Sequence, residues 1–188
     1  MSQTSHLKSA QITALDTFTP SLADIQNAGY GAPCRLQTVS GFATPIAGDA
    51  AGSTYQMVRI PTNASVKHVW LTSAAQGAGA VDIGVYYSDS TIDGTAVANQ
   101  GLVVGTNGKT FFASQISLAS AVQQTDEIFQ NLANSGSNTP ALINTRLWQA
   151  LGLTTDPGGF FDIVLTVDTT AITTGGGVVS LQVDYDAQ

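Results

Sequence analysis

The chain has 188 residues, 43% of them hydrophobic and only 10% charged, where about a quarter is usual, so its polarity rests on Ser, Thr, Asn and Gln. Thirteen acidic against six basic residues leave a net charge of -7, which repels phosphate backbones and excludes a basic stripe for nucleic acid. The length suits one domain with its own core and is short for two. A single cysteine, Cys34, excludes an internal disulfide framework and fits synthesis in a reducing compartment. No apolar run reaches the ~18 residues of a membrane helix. Met1 to Lys8 lacks the apolar stretch of a secretory signal, so a soluble product of a cytoplasm is expected.

In chain order, residues 1–36 come first. Leu7, Ile12, Leu15, Phe18, Leu22 and Ile25 are spread thinly there, and Pro20, Gly29, Gly31 and Pro33 interrupt them. Too few apolar groups are present to offset ordering entropy, so this segment reads as an arm or irregular lead-in, and residues 37–188 as the domain. Within it Ser21 and Asp24 form a weak capping box for Leu22 to Ala28, which Gly29 closes.

A short strand is predicted around Arg35 to Ile46. Tyr55 to Ile60 is a second, stopped by Pro61, whose missing N–H cannot continue a central ladder. After a turn at Thr62-Asn63, Ser65 to Thr72 alternates Val66, His68 and Trp70 with Lys67, Val69 and Leu71, so both faces are partly apolar. Val81, Ile83, Val85 and Tyr87 then share one face of a half-buried strand, opposite Asp82 and Gly84. Gly101 to Val104 and Lys109 to Phe112 flank Thr106-Asn107-Gly108, and Asn-Gly between apolar runs predicts a hairpin.

Asp126 to Ala133 is expected to add a helical turn or two. A short helix over Thr145 to Leu151 could start at Asn144 or at Thr139-Pro140, with Gly152 ending it. Phe161, Ile163, Leu165 and Val167 alternate with Asp162, Thr166 and Asp168, and Val179, Leu181, Val183 and Tyr185 with Ser180, Gln182 and Asp184. The glycine-rich connection from Thr169 to Gly177 reads as a wide hairpin loop between antiparallel neighbours. About eight strands at this spacing give an all-β sandwich with one or two short helices.

Chemical motifs stop short of completion. Gly105 to Thr110 ends like a phosphate-binding loop, but position 103 is valine, where the motif needs glycine. Asp89 to Gly94 begins like a calcium loop, yet the third ligand position is Thr91 and the twelfth is Gln100. His6 and His68 lie far apart in the chain, so a multi-histidine metal site is not expected, and no Gly-x-Ser-x-Gly elbow exists. Asp82, Asp162, Asp168 and Asp184 are expected on solvent-facing sides of strands. A glycosidase pair such as Asp82 and Asp162 is the enzymatic alternative to simple solvation. Trp70 and Trp148 could stack sugars or pack inside. No catalytic, cofactor or metal residue is nominated.

Gly52 to Val66, then Val81 to Tyr86, and Leu147 to Gly159 followed by Phe161-Asp162-Ile163, together resemble a recurring pattern in structural proteins of tailed bacteriophages. The likeness runs from about residue 50 to the C-terminus, and residues 1–36 carry none of it. It implies a capsid decoration or cement protein, a jelly-roll-like antiparallel β-sandwich on the outside of a phage head. The implied partners are the major capsid protein and further copies of the chain, with a trimer favoured and neither nucleic acid nor membrane bound. The implied place is the virion, at the capsid exterior. A charge-poor surface suits dense packing, since few charges must be desolvated. The lead-in from Leu7 to Tyr30 would then order on the shell or a neighbouring copy, with Phe18, Ile25 and Tyr30 as its partner-interface residues. The alternative is a receptor- or carbohydrate-binding module of a phage tail fibre or baseplate, which would use the same sandwich with Trp and Tyr on its loops.

Overall fold

In a computed structural model of the chain, the described residues are 6–9, 12–13, 36–88, 91–92, 95–96, 101–105, 107–128 and 145–186. They form strands β1 (His6–Lys8), β2 (Leu36–Ala43), β3 (Thr54–Pro61), β4 (Ser65–Ser73), β5 (Ala80–Tyr87), β6 (Thr91–Ile92), β7 (Thr95–Ala96), β8 (Ala113–Ser117), β9 (Val122–Asp126), β10 (Phe160–Val167) and β11 (Val179–Asp186). One short helix, α1 (Leu147–Ala150), docks on the β3–β4 turn, where the Leu147 N–H donates to the Ala64 carbonyl at 2.8 Å.

Two sheets carry the fold, one ordered β1-β3-β10-β5-β8 and the other β2-β11-β4-β9; β6 and β7 pair separately. Apart from β1 and that small hairpin, the remaining strands interleave as a jelly roll. First, last, third and sixth share one sheet, and second, seventh, fourth and fifth share the other. Period-two alternation explains which side chains lie between the sheets. Phe161, Ile163, Leu165 and Val167 stand opposite Tyr87, Val85, Ile83 and Val81. From the second sheet Val39, Val69, Leu71, Val179, Leu181, Val183 and Tyr185 complete a single core. Tyr87 meets Phe161 edge to face at 5.7 Å, and burial pushes the Tyr185 hydroxyl up to about 12.

The strands predicted from 35–46, 55–60, 65–72, 81–87, 161–167 and 179–185 are all present, each shifted at its ends by a few residues at most. His6–Lys8, within the lead-in, runs parallel to β3, and Ile12 is fully buried.

Three expectations are corrected. β10 and β11 are not hairpin neighbours, since they belong to different sheets. Residues 168–178 form an arch between the layers, held where Thr174 N–H donates to Gln76 O at 3.1 Å and Gly176 N–H donates to Pro45 O at 2.8 Å. Alternation says which face a residue occupies, not which strand it pairs with. Asn107-Gly108 turns no hairpin: Gly108–Thr110 is a 3₁₀ turn, Lys109 to Phe112 is not a strand, and Gly101 to Val104 pairs instead with the end of β5, where Gly101 N–H donates to Tyr87 O at 3.0 Å and Val104 N–H to Val85 O at 3.0 Å around the Val103–Tyr86 bridge. Finally, Val66 lies inward with Val69 and Leu71 rather than with His68 and Trp70, because a bulge opposite Asp184/Tyr185 shifts the phase of β4. The helix expected over Thr145 to Leu151 is confined to α1. Asp126 ends a strand, and the rest of the turn expected there lies beyond residue 128, outside the described residues, as does the Leu22 to Ala28 helix.

Candidate interaction surface

The two outer faces of the sandwich differ. On the five-stranded sheet the expectation that Asp82 and Asp162 face solvent is overturned, for both are buried. Asp162 sits between Arg59 of β3 and Tyr86 of β5 in register. Arg59 donates from Nε at 2.7 Å and from Nη2 at 3.0 Å to its two oxygens, a bidentate pair. Asp82 is covered by the 101–112 connection. Gly84 makes this possible, since a Cβ there would fall on the carbonyl oxygens of Gly108 and Lys109. Lys109 then reaches down to Asp82 at 3.0 Å and Asp168 at 2.9 Å. Burial works against the charge of Lys109, but its hydrogen bonds with Asp168 and Asp82 outweigh this and raise its pKa. The same bond holds Asp168 below the ordinary carboxylate range. These carboxylates lock loops onto a sheet. Asp82 and Asp162 are thus not the exposed carboxyl pair that glycoside cleavage needs, since both are buried and partnered.

The outer face of the four-stranded sheet is open. In register across it lie Thr38, Ser40 and Phe42 of β2, Ser180, Gln182 and Asp184 of β11, and His68, Trp70 and Thr72 of β4. Asp184 is its hub: Thr38 Oγ1 donates to Oδ1 at 2.7 Å and Trp70 Nε1 to Oδ2 at 3.1 Å. His68 stacks on Trp70 at 5.3 Å between centroids, and its Nδ1 lies 2.6 Å from Asp126 Oδ2. Lys67 reaches Asp186 at 3.5 Å. Among the described residues, Asp184 is held by neutral donors and Asp186 by Lys67. The aromatic pair is fixed by its polar edges rather than by burial, which sequence alternation could not show.

Along β2 the face becomes apolar. Leu36 is 60% exposed and Phe42 56%, and Val178, 51% exposed, is the diagonal neighbour of Phe42 on the extension of β11. Ile46 is exposed just beyond. Sequence reading missed these residues. The available signal was the lack of any charge from Leu36 to Ala43. The sequence-nominated Phe18, Ile25 and Tyr30 lie outside the described residues, as do Cys34 and most of the Asp89 to Gly94 loop. Trp148 is half-buried against the core, with a buried Nε1 that makes no hydrogen bond. Among the described residues no three His, Cys, Asp or Glu side chains group to hold a metal, and no helix is long and apolar enough to cross a membrane.

No family model matches the chain, and no curated protein matches it. Among solved structures, the chain is similar to one in the capsid of Ralstonia phage GP4, with a TM-score of 0.51 at 14% identity, over 98% of this chain and 99% of that one. It also overlaps a chain of the cyanophage Pam1 capsid asymmetric unit, with a TM-score of 0.48 at 14% identity, over 84% of this chain and 89% of the other. At such identity the first of these likenesses is one of fold, and it extends over the jelly roll from end to end.

Proposed function

We propose that this protein is a structural component of a tailed-phage virion that binds the outside of the head and bridges neighbouring major capsid protein subunits. The observation that carries this reading is the end-to-end match in fold to a chain of the GP4 phage capsid. The exposed apolar side chains Leu36, Phe42 and Val178 on and beside β2 support it, since an apolar patch of this kind is what a partner surface covers. Bridging resists shell expansion by multivalency: modest contacts, repeated over a lattice, add up without any one being tight. The lead-in, with Phe18, Ile25 and Tyr30, is the proposed shell contact, and a trimer around a local symmetry axis the proposed state.

Mixing the purified protein with heads that lack it, followed by cryo-EM, tests this. Density at capsomer junctions and greater resistance of the heads to heat are expected. A protein that stays in the supernatant ends the proposal. A second reading, a carbohydrate- or receptor-binding module, draws on the half-exposed Trp70–His68 stack beside Asp184. Glycan binding lost on Trp70→Ala, with no attachment to heads, would favour it.

A further inference from the structure

The ends of the two sheets are protected unequally. β1 is three residues long and ends in exposed Lys8. β8 carries Gln115 at φ 56° and a break in its register with β5. β9 carries Gln124 at φ 45°, a break in its register with β4, and terminal Asp126. Shortness, charge and bulges are the devices that keep a sheet edge from pairing with another chain. β2 has none of them. It is eight residues long, contains no charge and no proline, and pairs with β11 from Leu36↔Asp186 to Ala43↔Val179 without a single shift. Among the described residues, its backbone from Thr38 to Ala43 is paired in a ladder with β11 alone. On its inner face Gly41 lets it close against the Met57 carbonyl and Ser9, while Thr38, Ser40 and Phe42 face outward and are exposed.

We infer that the β2 edge, from Thr38 to Ala43, is a β-augmentation site that accepts an extended segment of a different polypeptide, uncharged at its centre and neutral or basic at its ends. Area and charge select this occupant over a second copy. The six residues of this edge span ~20 Å and bury on the order of 200 Å² per partner. That is well below the roughly 800 Å² per side of a stable dimer. So narrow a contact holds only when the added strand belongs to something already anchored nearby. Two copies would also bring together two bodies of net charge -7, and the neighbouring strand β11 adds beside the edge the carboxylate of Asp184, held by the neutral donors Thr38 and Trp70. An apolar side chain of the incoming strand would lie against Phe42, the exposed apolar residue on the outer face of this edge. The inference refines the assembly reading above by naming the kind of segment that docks.

Two measurements on the full chain separate the claims. In the first, backbone hydrogen exchange is followed with and without a millimolar capped peptide of alternating valine and threonine with a lysine at each end. Alternate amides between Thr38 and Ala43 should gain protection of about tenfold or more. They should gain none in Thr38→Lys/Ser40→Lys, whose folding is checked by circular dichroism. In the second, head binding of that variant is compared with Thr72→Lys, a control on the same face but away from the edge. A loss of about tenfold for the edge variant and none for the control is expected. No peptide protection, equal head binding by both variants, or a β2-dependent dimer in sedimentation velocity overturns the inference. Failure of the wild-type chain to bind heads while the peptide still protects β2 overturns only the virion reading.

Discussion

Glu127 is almost wholly buried next to Asp126, and its Oε2 makes no hydrogen bond. Desolvation, reinforced by the Asp126 charge, raises its pKa from the ordinary 4.5 to about 7. The folded chain thus holds this proton more tightly than the unfolded chain. The stability it confers is full below about 4.5 and is lost as pH rises through 7. Urea unfolding should show stability falling between pH 5 and pH 8, and Glu127→Gln should remove most of that slope, gaining up to about 3 kcal/mol at pH 8. Gly84 is the other decisive single position. Its φ is unremarkable, so it is the space beneath the 3₁₀ turn, not backbone conformation, that requires glycine. Gly84→Ala should cost about 2–3 kcal/mol and loosen the 101–112 connection, seen as faster amide exchange there.

Between elements, the Arg59–Asp162 pair ties β3 to β10 on a face with almost no solvent access. Breaking such a pair from one side leaves an uncompensated buried charge, while replacing both partners by apolar groups does not. Arg59→Met should therefore destabilise by about 3–5 kcal/mol, and Arg59→Met/Asp162→Leu should recover most of the loss in the same denaturation experiment. Recovery smaller than about 1 kcal/mol would mean that the pair's other surroundings, not its charge balance, set the cost. Lys109 is different. It is 40% exposed, so its two carboxylate contacts are screened and position a loop more than they stabilise the chain.

For the molecule as a whole, the lead-in matters to the fold before any partner is considered. β1 extends the five-stranded sheet, the Ser9 N–H donates to Gln56 O at 2.7 Å, and Ile12 is sealed from water. Ile12→Ala should cost about 2–4 kcal/mol in thermal or urea unfolding of the purified chain. A deletion that starts beyond Thr13 is then the right probe of shell contact by Phe18, Ile25 and Tyr30, because a deletion from residue 1 also removes a strand and a core residue.

Alternation in Val81 to Tyr87, Phe161 to Val167 and Val179 to Tyr185 was enough to establish strands, their buried faces and an all-β sandwich, because side-chain period is a local property of extended backbone. Pairing partners were not legible: β10 and β11 alternate identically and enter different sheets, since a strand's pattern says nothing of its neighbour. Nor was the burial of Asp82 and Asp162, which depends on a loop and a distant arginine covering a face that periodicity alone assigns to solvent. The candidate surface shows the same division. Its neutral strand could be read directly from Leu36 to Ala43, whereas its place at the open end of a sheet, beside Phe42 and Val178, arises only when residues more than a hundred positions apart are brought into register.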